Sequence, residues 1–440
     1  MNNLLLLIFL LCVLAACKKR NSDDVGPQVT WNSPAENALI YSVDTIVVNA
    51  LITDDEVVRR VKVSLTNAAG SSLANMGDEF PGTPSYQLNK AFYINRPDLQ
   101  GGQQYYLNLI AYDDDNHTSI YRKINLVPLP LVEKAVVVAY GAGNNRTVAL
   151  LENGALNPIL SGAGDVQRVL PNHIEGNVKV VSGVSGKIRA LNHPEFGQEW
   201  EHDIPNNTSW RSIESVSMNP NNGELLVGDT DHFFQILNKS GSVIAGFDTE
   251  LLLHRPVKCL LTDNRAFAIE RRIDNSNQDF TVFFKVSGAV EFRIGMQGDV
   301  VEMFADVSSE NITEPDQTVI FVNENGQPRI RKYSILGQNL TQIGTLPQGE
   351  ITAVCKLANR RYLFQIDGTV YRFNFAGPLQ VYYNGPDFHR LVHDPLGNRV
   401  FGLTQSHIHV FNLLGNGMQE IGTIPVNNPR DICVLYNRNP

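Results

Sequence analysis

The feature that most constrains the fold is a repeat that occupies the last two thirds of the chain. Each unit has an apolar strand ending in Asn or Ser, a loop that usually contains Gly, and a second strand, as in TVALLENGALNPIL and HIHVFNLLGNGMQEIG. The closing polar residues are Asn153, Asn192, Asn238, Ser287, Ser334, Asn374 and Asn412, and successive members lie 39, 46, 49, 47, 40 and 38 residues apart. A period of about 40 to 50 residues is the size of one four-stranded propeller blade.

A hairpin precedes the closing residue of each unit. The clearest examples are VSMNPNNGELLVGD and LVHDPLGNRVFGLT, in which Asn-Pro-x-x-Gly and Asp-Pro-x-Gly turns join two apolar strands. These hairpins resemble the inner hairpins of NHL-type and YVTN-like propellers. The resemblance covers residues 132–440 and implies the fold rather than the function.

The two ends of the repeat array complement each other. The first unit begins at Val136 without an innermost strand of its own, and one extra strand, Asp431 to Tyr436, follows the seventh unit. Pairing between them would remove two sheet edges that otherwise invite aggregation. We therefore predict a seven-bladed β-propeller over residues 132–440, closed by the C-terminal strand.

Residues 27–127 predict a second all-β domain, because their apolar side chains alternate with period two. The stretches WNSPAENALI and YYLNLIAYDDDNHTS resemble the opening strand and the penultimate strand and turn of bacterial immunoglobulin-like domains. The resemblance implies an immunoglobulin-like β-sandwich, joined to the propeller by a proline-containing linker at residues 128–131. The acidic stretches 54–56 and 113–115 could either hold calcium or close Asx-turns.

The N-terminus carries a targeting signal. An apolar run from Leu4 to Leu14 is too short to span a bilayer and precedes Leu-Ala-Ala-Cys. This tetrapeptide resembles the lipobox of bacterial lipoproteins, which implies a signal peptide at residues 1–16, an acylated Cys17 and a tether at residues 17–26. An ordinary signal peptide and an N-terminal anchor helix are the alternatives.

The residues after Cys17 bear on the destination. By the same resemblance, Lys18 in place of aspartate implies the outer membrane, where the lipid is the membrane contact. The acidic stretch 22–24 resembles a signal for export to the cell surface, although it could equally be a solvated tether.

Composition restricts the partners and the cysteine chemistry. The net charge is −9, and the basic cluster at residues 18–20 stands alone, so a nucleic-acid partner is not expected. Cys259, Cys355 and Cys433 lie in apolar strands of different predicted blades, which indicates buried free thiols rather than disulfides.

No catalytic motif is evident, and no cofactor is predicted. The chain has no GxSxG, HExxH, P-loop or strand-to-helix GxGxxG pattern. His407 and His409 lie two apart and share one face of a strand, and a metal site there would need His389 or His393 as well. An exposed pair without a metal is the simpler interpretation.

Charged residues recur where the predicted inner strands begin. They are Asp165, Arg211, Arg255, Asp299, Glu350, Arg390 and Arg430, with Trp210 and His389 in loops nearby. Such a rim could bind a polar ligand such as a glycan or a protein loop. Alternatively, the charges pair with one another and cap the channel.

The predicted function is that of a non-catalytic cell-envelope lipoprotein whose propeller binds a glycan or a protein partner. One alternative is a periplasm-facing scaffold for outer-membrane assembly. The other is an enzyme resembling propeller lactonases or lyases, in which Asp165, Asp299 and Glu350 would hold a metal in the channel.

Overall fold

The computed structural model describes residues 25–41, 45–94, 103–127, 130–204, 212–248, 253–274, 277–309 and 315–437. Within these ranges the fold is all-β, without a helix and hence without any helix long and apolar enough to cross a membrane. The chain forms two compact units, one ending at Pro130 and the other spanning Leu131–Asn437. The predicted signal peptide, Cys17 and most of the tether lie outside the described residues.

The first unit consists of two sheets around one apolar core. Its strands are β1 Gln28–Ser33, β2 Ala38–Tyr41, β3 Thr45–Val58, β4 Arg60–Asn67, β5 Ser72–Glu79, β6 Thr83–Tyr93, β7 Tyr105–Tyr112 and β8 His117–Val127. They form the sheets β1-β3-β6 and β2-β8-β7-β4-β5, in which only the pair β2–β8 is parallel. Alternate residues such as Val48, Ala50 and Ile52 of β3, and Leu107 and Leu109 of β7, are fully buried in the shared core.

The two acidic stretches of this unit serve local backbone structure. Asp54 lies within β3 rather than in a turn, and its Oδ1 accepts hydrogen bonds from the amides of residues 56 and 57 at 2.9 and 2.7 Å. Asp113 Oδ1 accepts from the amides of Asp115 and Asn116. These are the Asx-type interactions considered from the sequence. No group of three metal-ligating side chains occurs within the described ranges.

The second unit contains the repeat. Its strands are β9 Val132–Tyr140, β10 Thr147–Glu152, β11 Ala155–Leu160, β12 Val166–Asn172, β13 Asn177–Ser182, β14 Lys187–Asn192, β15 Gly197–Asp203, β16 Ile213–Met218, β17 Leu225–Asp229, β18 Phe233–Leu237, β19 Val243–Asp248, β20 His254–Leu261, β21 Arg265–Arg272, β22 Gln278–Phe284, β23 Val290–Met296, β24 Asp299–Asp306, β25 Gln317–Glu324, β26 Gln327–Ser334, β27 Asn339–Ile343, β28 Ile351–Ala358, β29 Arg361–Ile366, β30 Thr369–Asn374, β31 Gln380–Asn384, β32 Arg390–Asp394, β33 Arg399–Leu403, β34 His407–Leu414, β35 Gly417–Pro425 and β36 Pro429–Asn437.

These strands form antiparallel four-stranded sheets. Six sheets take consecutive strands, from β12–β15 through to β32–β35, and another has the order β11-β10-β9-β36. The C-terminal strand β36 therefore completes the N-terminal sheet, with Ile432 opposite Val138 and Val434 opposite Val136. Such repeated four-stranded sheets are typical of a β-propeller.

Each sheet packs on the next through an apolar cluster. The cluster between the last and the first sheet, for example, contains Val138, Phe401, Leu403 and Ile432, all 1% exposed or less. Corresponding clusters join every other pair of successive sheets among the described residues. The core is thus distributed between the sheets, as expected for strands that are apolar on both faces.

Polar residues at the ends of the innermost strands stabilise the turns of the innermost hairpins. Asn219 Oδ1 accepts from the amide of Asn221 at 3.0 Å, and Asp394 Oδ1 accepts from the amide of Gly397 at 2.8 Å. These are the Asn-Pro and Asp-Pro turns seen in the sequence, and both side chains are buried. Because the side chains replace missing backbone partners, the turns can close tightly against the neighbouring sheet.

The three cysteines of this unit are free thiols, as predicted. They lie on β20, β28 and β36, which belong to three different sheets. Burial raises the pKa of Cys259 and of Cys355 to about 12, and it raises the pKa of Cys433 as well. None of these thiols is poised to act as a nucleophile at neutral pH.

Candidate functional site

The innermost strands of the second unit enclose a channel. Residues of β12, β16, β20, β24, β28 and β32 line one cavity of about 370 Å³. Two adjoining cavities, of about 260 and 220 Å³, share Arg168, Lys258 and Glu302 in their linings. We treat this channel as the candidate site because strands from six sheets converge on it.

A repeated β-bulge sets which side chains enter the channel. In six of the seven innermost strands, all except β32, the pairing register shifts by one residue close to the strand start. The residues that directly follow the shift are Arg168, Ser215, Lys258, Glu302, Ala353 and Asp431. A bulge re-aims the side chains beside it. This position and Arg390 of β32 together place five charged residues in one layer, which we call the charged layer: Arg168, Lys258, Glu302, Arg390 and Asp431.

Ion pairs connect most of the charged layer across the channel. Arg390 Nε lies 2.9 Å from Asp431 Oδ1, and Arg390 Nη1 lies 3.1 Å from Glu302 Oε2. Arg168 Nε is 3.4 Å from Asp431 Oδ2, which also accepts a hydrogen bond from the amide of Val169 at 3.0 Å. A longer pair of 3.9 Å joins Arg168 to Glu302. The two carboxylates are therefore already engaged by the two arginines.

Lys258 is the exception in this layer. It lines the two smaller cavities, and its ammonium group makes no hydrogen bond or ion pair with any described residue. Glu302 raises the pKa of Lys258, but burial and the two nearby arginines outweigh that effect and lower it. Lys258 is half-buried, and Glu302 attracts it only from beyond ion-pair distance, so the charged layer keeps a net positive charge.

Glu302 is the acidic centre of the layer. Burial alone would raise its pKa, but the three surrounding cations lower it to about 2. The carboxylate is therefore ionised at any pH that the protein is expected to meet. It cannot serve as a proton donor, since a general acid must hold its proton near the working pH.

The channel becomes apolar beyond the charged layer. The cavity of about 370 Å³ is lined there by Leu170, Val216, Met218, Leu260, Phe304, Val354, Leu391 and Val392. His173 and His393 also line it. Burial lowers the pKa of both imidazoles, and His173 Nδ1 accepts a hydrogen bond from the Tyr436 amide at 3.0 Å. Both side chains are therefore neutral at pH 7.

Three of the predicted site residues meet in one cavity. His389, Arg390 and Arg430 line the cavity of about 260 Å³ together with Lys258 and the rest of the charged layer. His389 Nε2 lies 3.0 Å from the carbonyl oxygen of Pro429, and its pKa is lowered, chiefly by loss of hydration. Arg430 is exposed at the mouth of this cavity.

The other predicted rim residues are dispersed. Asp165 is buried and accepts hydrogen bonds from the amides of residues 184 and 185, so it closes a turn of the second sheet. Asp299 is 79% exposed and pairs with Arg271. Arg255 lies 3.7 Å from a carboxylate oxygen of Glu214, and Glu350 is exposed. Trp210 and Arg211 lie outside the described residues.

A sequence signal could have located the charged layer. When the innermost strands are aligned on the apolar residues after the bulge, they contain QRVL, ESVS, VKCL, VEMF, TAVC, HRLV and RDIC. The second letter of each is the channel position. Asp165, Arg255, Asp299 and Glu350 all stand three residues before it, whereas Arg390 occupies it and Arg430 is the bulged residue. A charge at a strand entrance therefore does not identify the channel position, whereas alignment of the strands does.

The histidine pair is engaged locally. His409 Nδ1 lies 2.8 Å from Glu420 Oε1, and His407 Nδ1 lies 2.7 Å from Ser406 Oγ. Both histidines are on β34, the third strand of its sheet, whereas His389 and His393 lie at the channel. The four imidazoles therefore do not form one site.

A larger cleft lies away from the channel. It has a volume of about 880 Å³ and is lined by strands β9, β10 and β33–β35 of the first and last sheets. Of its four charged residues, Glu133, Lys134, Glu152 and Arg399, the first and the last pair with each other at 2.6 Å. We favour the channel despite the greater volume of this cleft, because charges from five sheets converge only on the channel.

Comparisons with known proteins support the fold alone. No family model and no curated protein matches the chain. The crystal structure of RRP9 WD40 repeats is similar with a TM-score of 0.50 and 10% identity, covering 69% of this chain and 88% of that chain. A quinoprotein alcohol dehydrogenase-like protein from Bacteroides thetaiotaomicron VPI-5482 has a TM-score of 0.46 and 11% identity, covering 94% of this chain and 99% of that chain. The second similarity is too weak to carry an argument, and the first supports a β-propeller.

Proposed function

We propose that the chain is a lipid-anchored, non-catalytic binding protein of the bacterial outer membrane, whose propeller binds a glycan or a protein partner. The proposal includes the number of blades and the type of the first domain. Successive four-stranded sheets packed last against first support a seven-bladed propeller over residues 132–440. Two sheets around one core support an immunoglobulin-like spacer over residues 27–127.

The observation that carries the binding role is the excess of cations at one cavity. Arg168, Lys258, Arg390 and Arg430 line it, against two carboxylates. Their backbones belong to paired strands of four sheets, so the groups are held in position before a ligand arrives. Preorganised charge favours recognition of an acidic group on a partner.

The enzyme alternative has less support. Its three proposed acids do not converge, since Asp165 closes a turn and Asp299 pairs with Arg271 at the surface. The carboxylates that do enter the channel, Glu302 and Asp431, already pair with arginines. A divalent cation would have to compete with these arginines, which opposes its binding.

The anchoring proposal rests on Leu-Ala-Ala-Cys at residues 14–17, and the acidic stretch 22–24 extends it to the cell surface. We expect Cys17→Ala to abolish acylation and processing, because no thiol would remain at that position. Metabolic labelling with a fatty-acid analogue measures the first effect and immunoblotting the second. A labelled, correctly processed variant would contradict the proposal. Protease treatment of intact cells separates a surface protein from a periplasm-facing scaffold.

The binding role predicts selectivity for acidic partners. On a glycan array, the full-length protein in non-ionic detergent should retain glycans that carry uronate or sialate residues in preference to neutral ones. Arg430→Gln should weaken that binding about fivefold or more, because the side chain lies at the cavity mouth. Arg271→Gln is the matched control, since Arg271 pairs with Asp299 outside the cavity. Equal loss in both variants would argue against this site. If no glycan binds, acidic proteins become the partner to test.

A further inference from the structure

The charged layer has more positive than negative charge. Its three cations face two carboxylates, and Arg430 adds a fourth cation at the same cavity while His389 is neutral at pH 7. The cavity of about 260 Å³ therefore carries two uncompensated positive charges. At a partly enclosed cavity, an excess of positive charge attracts anions from solution.

The pairing pattern shows where the excess lies. Arg390 and Arg168 share Glu302 and Asp431, whereas Lys258 and Arg430 have no ion-pair or hydrogen-bond partner among the described residues. The unpartnered cations come from β20 and β36 and line the same cavity. A ligand in the cavity could meet both cations without displacing an existing ion pair.

The rest of the lining limits the ligand. Gln167 and Thr352, beside the neutral His389, are uncharged polar side chains of this cavity, and both are the extra residues of their β-bulges. They can hydrogen-bond to hydroxyl or carbonyl groups. Val301, Ala353 and Val354 are the few apolar residues of this cavity, and the longer apolar wall belongs to the adjoining cavity, on which Lys258 and Arg430 do not border. The ligand should therefore be polar throughout.

We propose that this cavity binds a compact, polar organic dianion, either a small dicarboxylate or a phosphate monoester. Lys258 and Arg430 contact its charged groups, and Gln167 and Thr352 contact its polar body. The proposal rests on the proposed function in one respect, because both assign recognition of acidic groups to these cations. It goes further in assigning a free small molecule to the interior of the channel mouth.

Isothermal titration calorimetry on the full-length protein in non-ionic detergent at low salt tests the proposal. The probes are malate for the dicarboxylates, glycerol 3-phosphate for the phosphate monoesters, inorganic phosphate for a bare dianion, and glycerol for a neutral polar molecule. We expect saturable binding of malate or glycerol 3-phosphate, tighter than that of inorganic phosphate, and none of glycerol. Binding should weaken as salt is added, because salt screens the charges.

The variant Lys258→Met identifies the site. It should weaken binding by about tenfold or more, the effect of losing one charge-assisted hydrogen bond. Folding should be retained, since no carboxylate depends on Lys258 for a direct contact, and thermal melting checks this. Arg430→Gln supplies a second test at an exposed position, and Arg271→Gln is the control of equal charge change, expected to bind as the parent does.

Three results would overturn the inference. They are the absence of saturable binding of either organic dianion up to about 10 mM, equal weakening by Lys258→Met and Arg271→Gln, and binding of inorganic phosphate as tight as that of the organic probes. Glycan or protein binding with no response to small dianions would reject the inference and leave the proposed function intact. Dianion binding that depends on Lys258, together with no binding of any glycan or protein, would support the inference and reject the proposed function.

Discussion

Single residues in the second unit show how burial alters side-chain chemistry away from the channel. Lys179 of β13 is fully buried, yet its amine is not paired with a carboxylate. Its Nζ donates to the carbonyl oxygen of Lys239 at 3.2 Å and lies 4.2 Å from the ring centroid of Trp200. Burial lowers its pKa to about 8, against a smaller opposing effect of Glu199 and Glu175.

This shift predicts a pH dependence of stability. Between pH 8 and 10.5 the unfolded chain binds a proton at Lys179 that the folded chain does not, so folding becomes more favourable as the pH rises. In Lys179→Met this contribution is absent. Between pH 7 and 10.5, the free energy of unfolding of the parent should therefore rise by about 3 kcal/mol more than that of the variant. Urea unfolding at several pH values measures the difference.

The control for this prediction is Lys239→Met. Lys239 is 56% exposed and pairs with Glu175 at 2.5 Å, so its replacement removes a lysine from the same region without removing a buried one. Its stability should follow the pH dependence of the parent. If Lys179→Met followed the parent as well, Lys179 would titrate normally in the folded protein.

At the scale of elements, the β-bulge is the device that builds the site. A strand of period two would direct alternate residues to alternate faces, and one inserted residue changes which side chain follows the bend. The same insertion in six innermost strands brings residues as distant in the chain as Arg168 and Asp431 within 3.4 Å. The repeat therefore sets the position of the charged layer, and the sequence of each innermost strand sets which charge it contributes.

The strand β36 carries a prediction about closure. Ile432 is 1% exposed, lies opposite Val138 of β9 and packs in the cluster between the last and the first sheet. Ile432→Ala should lower the free energy of unfolding by about 2 to 5 kcal/mol, the usual effect of a cavity in a packed core. Chemical denaturation measures the change.

A matched variant separates closure from a general sensitivity of the last sheet. Ile421 on β35 is 51% exposed, so Ile421→Ala should change stability by less than about 0.5 kcal/mol. If Ile432→Ala were equally mild, β36 would not be part of the core. Closure would then need another explanation, since the unpaired edge of β9 would favour association between copies.

In the whole molecule, the all-β class and the propeller repeat were easier to predict from the sequence than the site. Five of the seven closing residues end a strand or directly follow one, whereas Ser287 lies in the turn after β22 and Asn412 lies inside β34. Among the five, Asn238 Oδ1 accepts from the amides of Ser240 and Ser242 at 3.0 and 2.9 Å. These interactions are local, and a residue pattern is sufficient to predict them. The all-β class and the pairing of the C-terminal strand with the N-terminal sheet depend on the same repeat.

The site was only partly predictable because it depends on contacts between residues that are distant in the sequence. Arg390 and Arg430 were found because they are charged and stand near strand starts, whereas Lys258 and Glu302 looked like ordinary residues of apolar strands. Asp165 looked like a rim residue but closes a turn. Which charge faces the channel depends on the bulge register, and which charges meet depends on how the sheets are arranged.

Short-range periodicity was sufficient to predict the β-strands, their turns and the free thiols on separate strands. The arrangement of the sheets brings three cations and two carboxylates into one layer and leaves the Lys258 ammonium without an ion pair among the described residues. Coulomb energies depend on distances across the channel, and residues 41 to 263 positions apart set those distances.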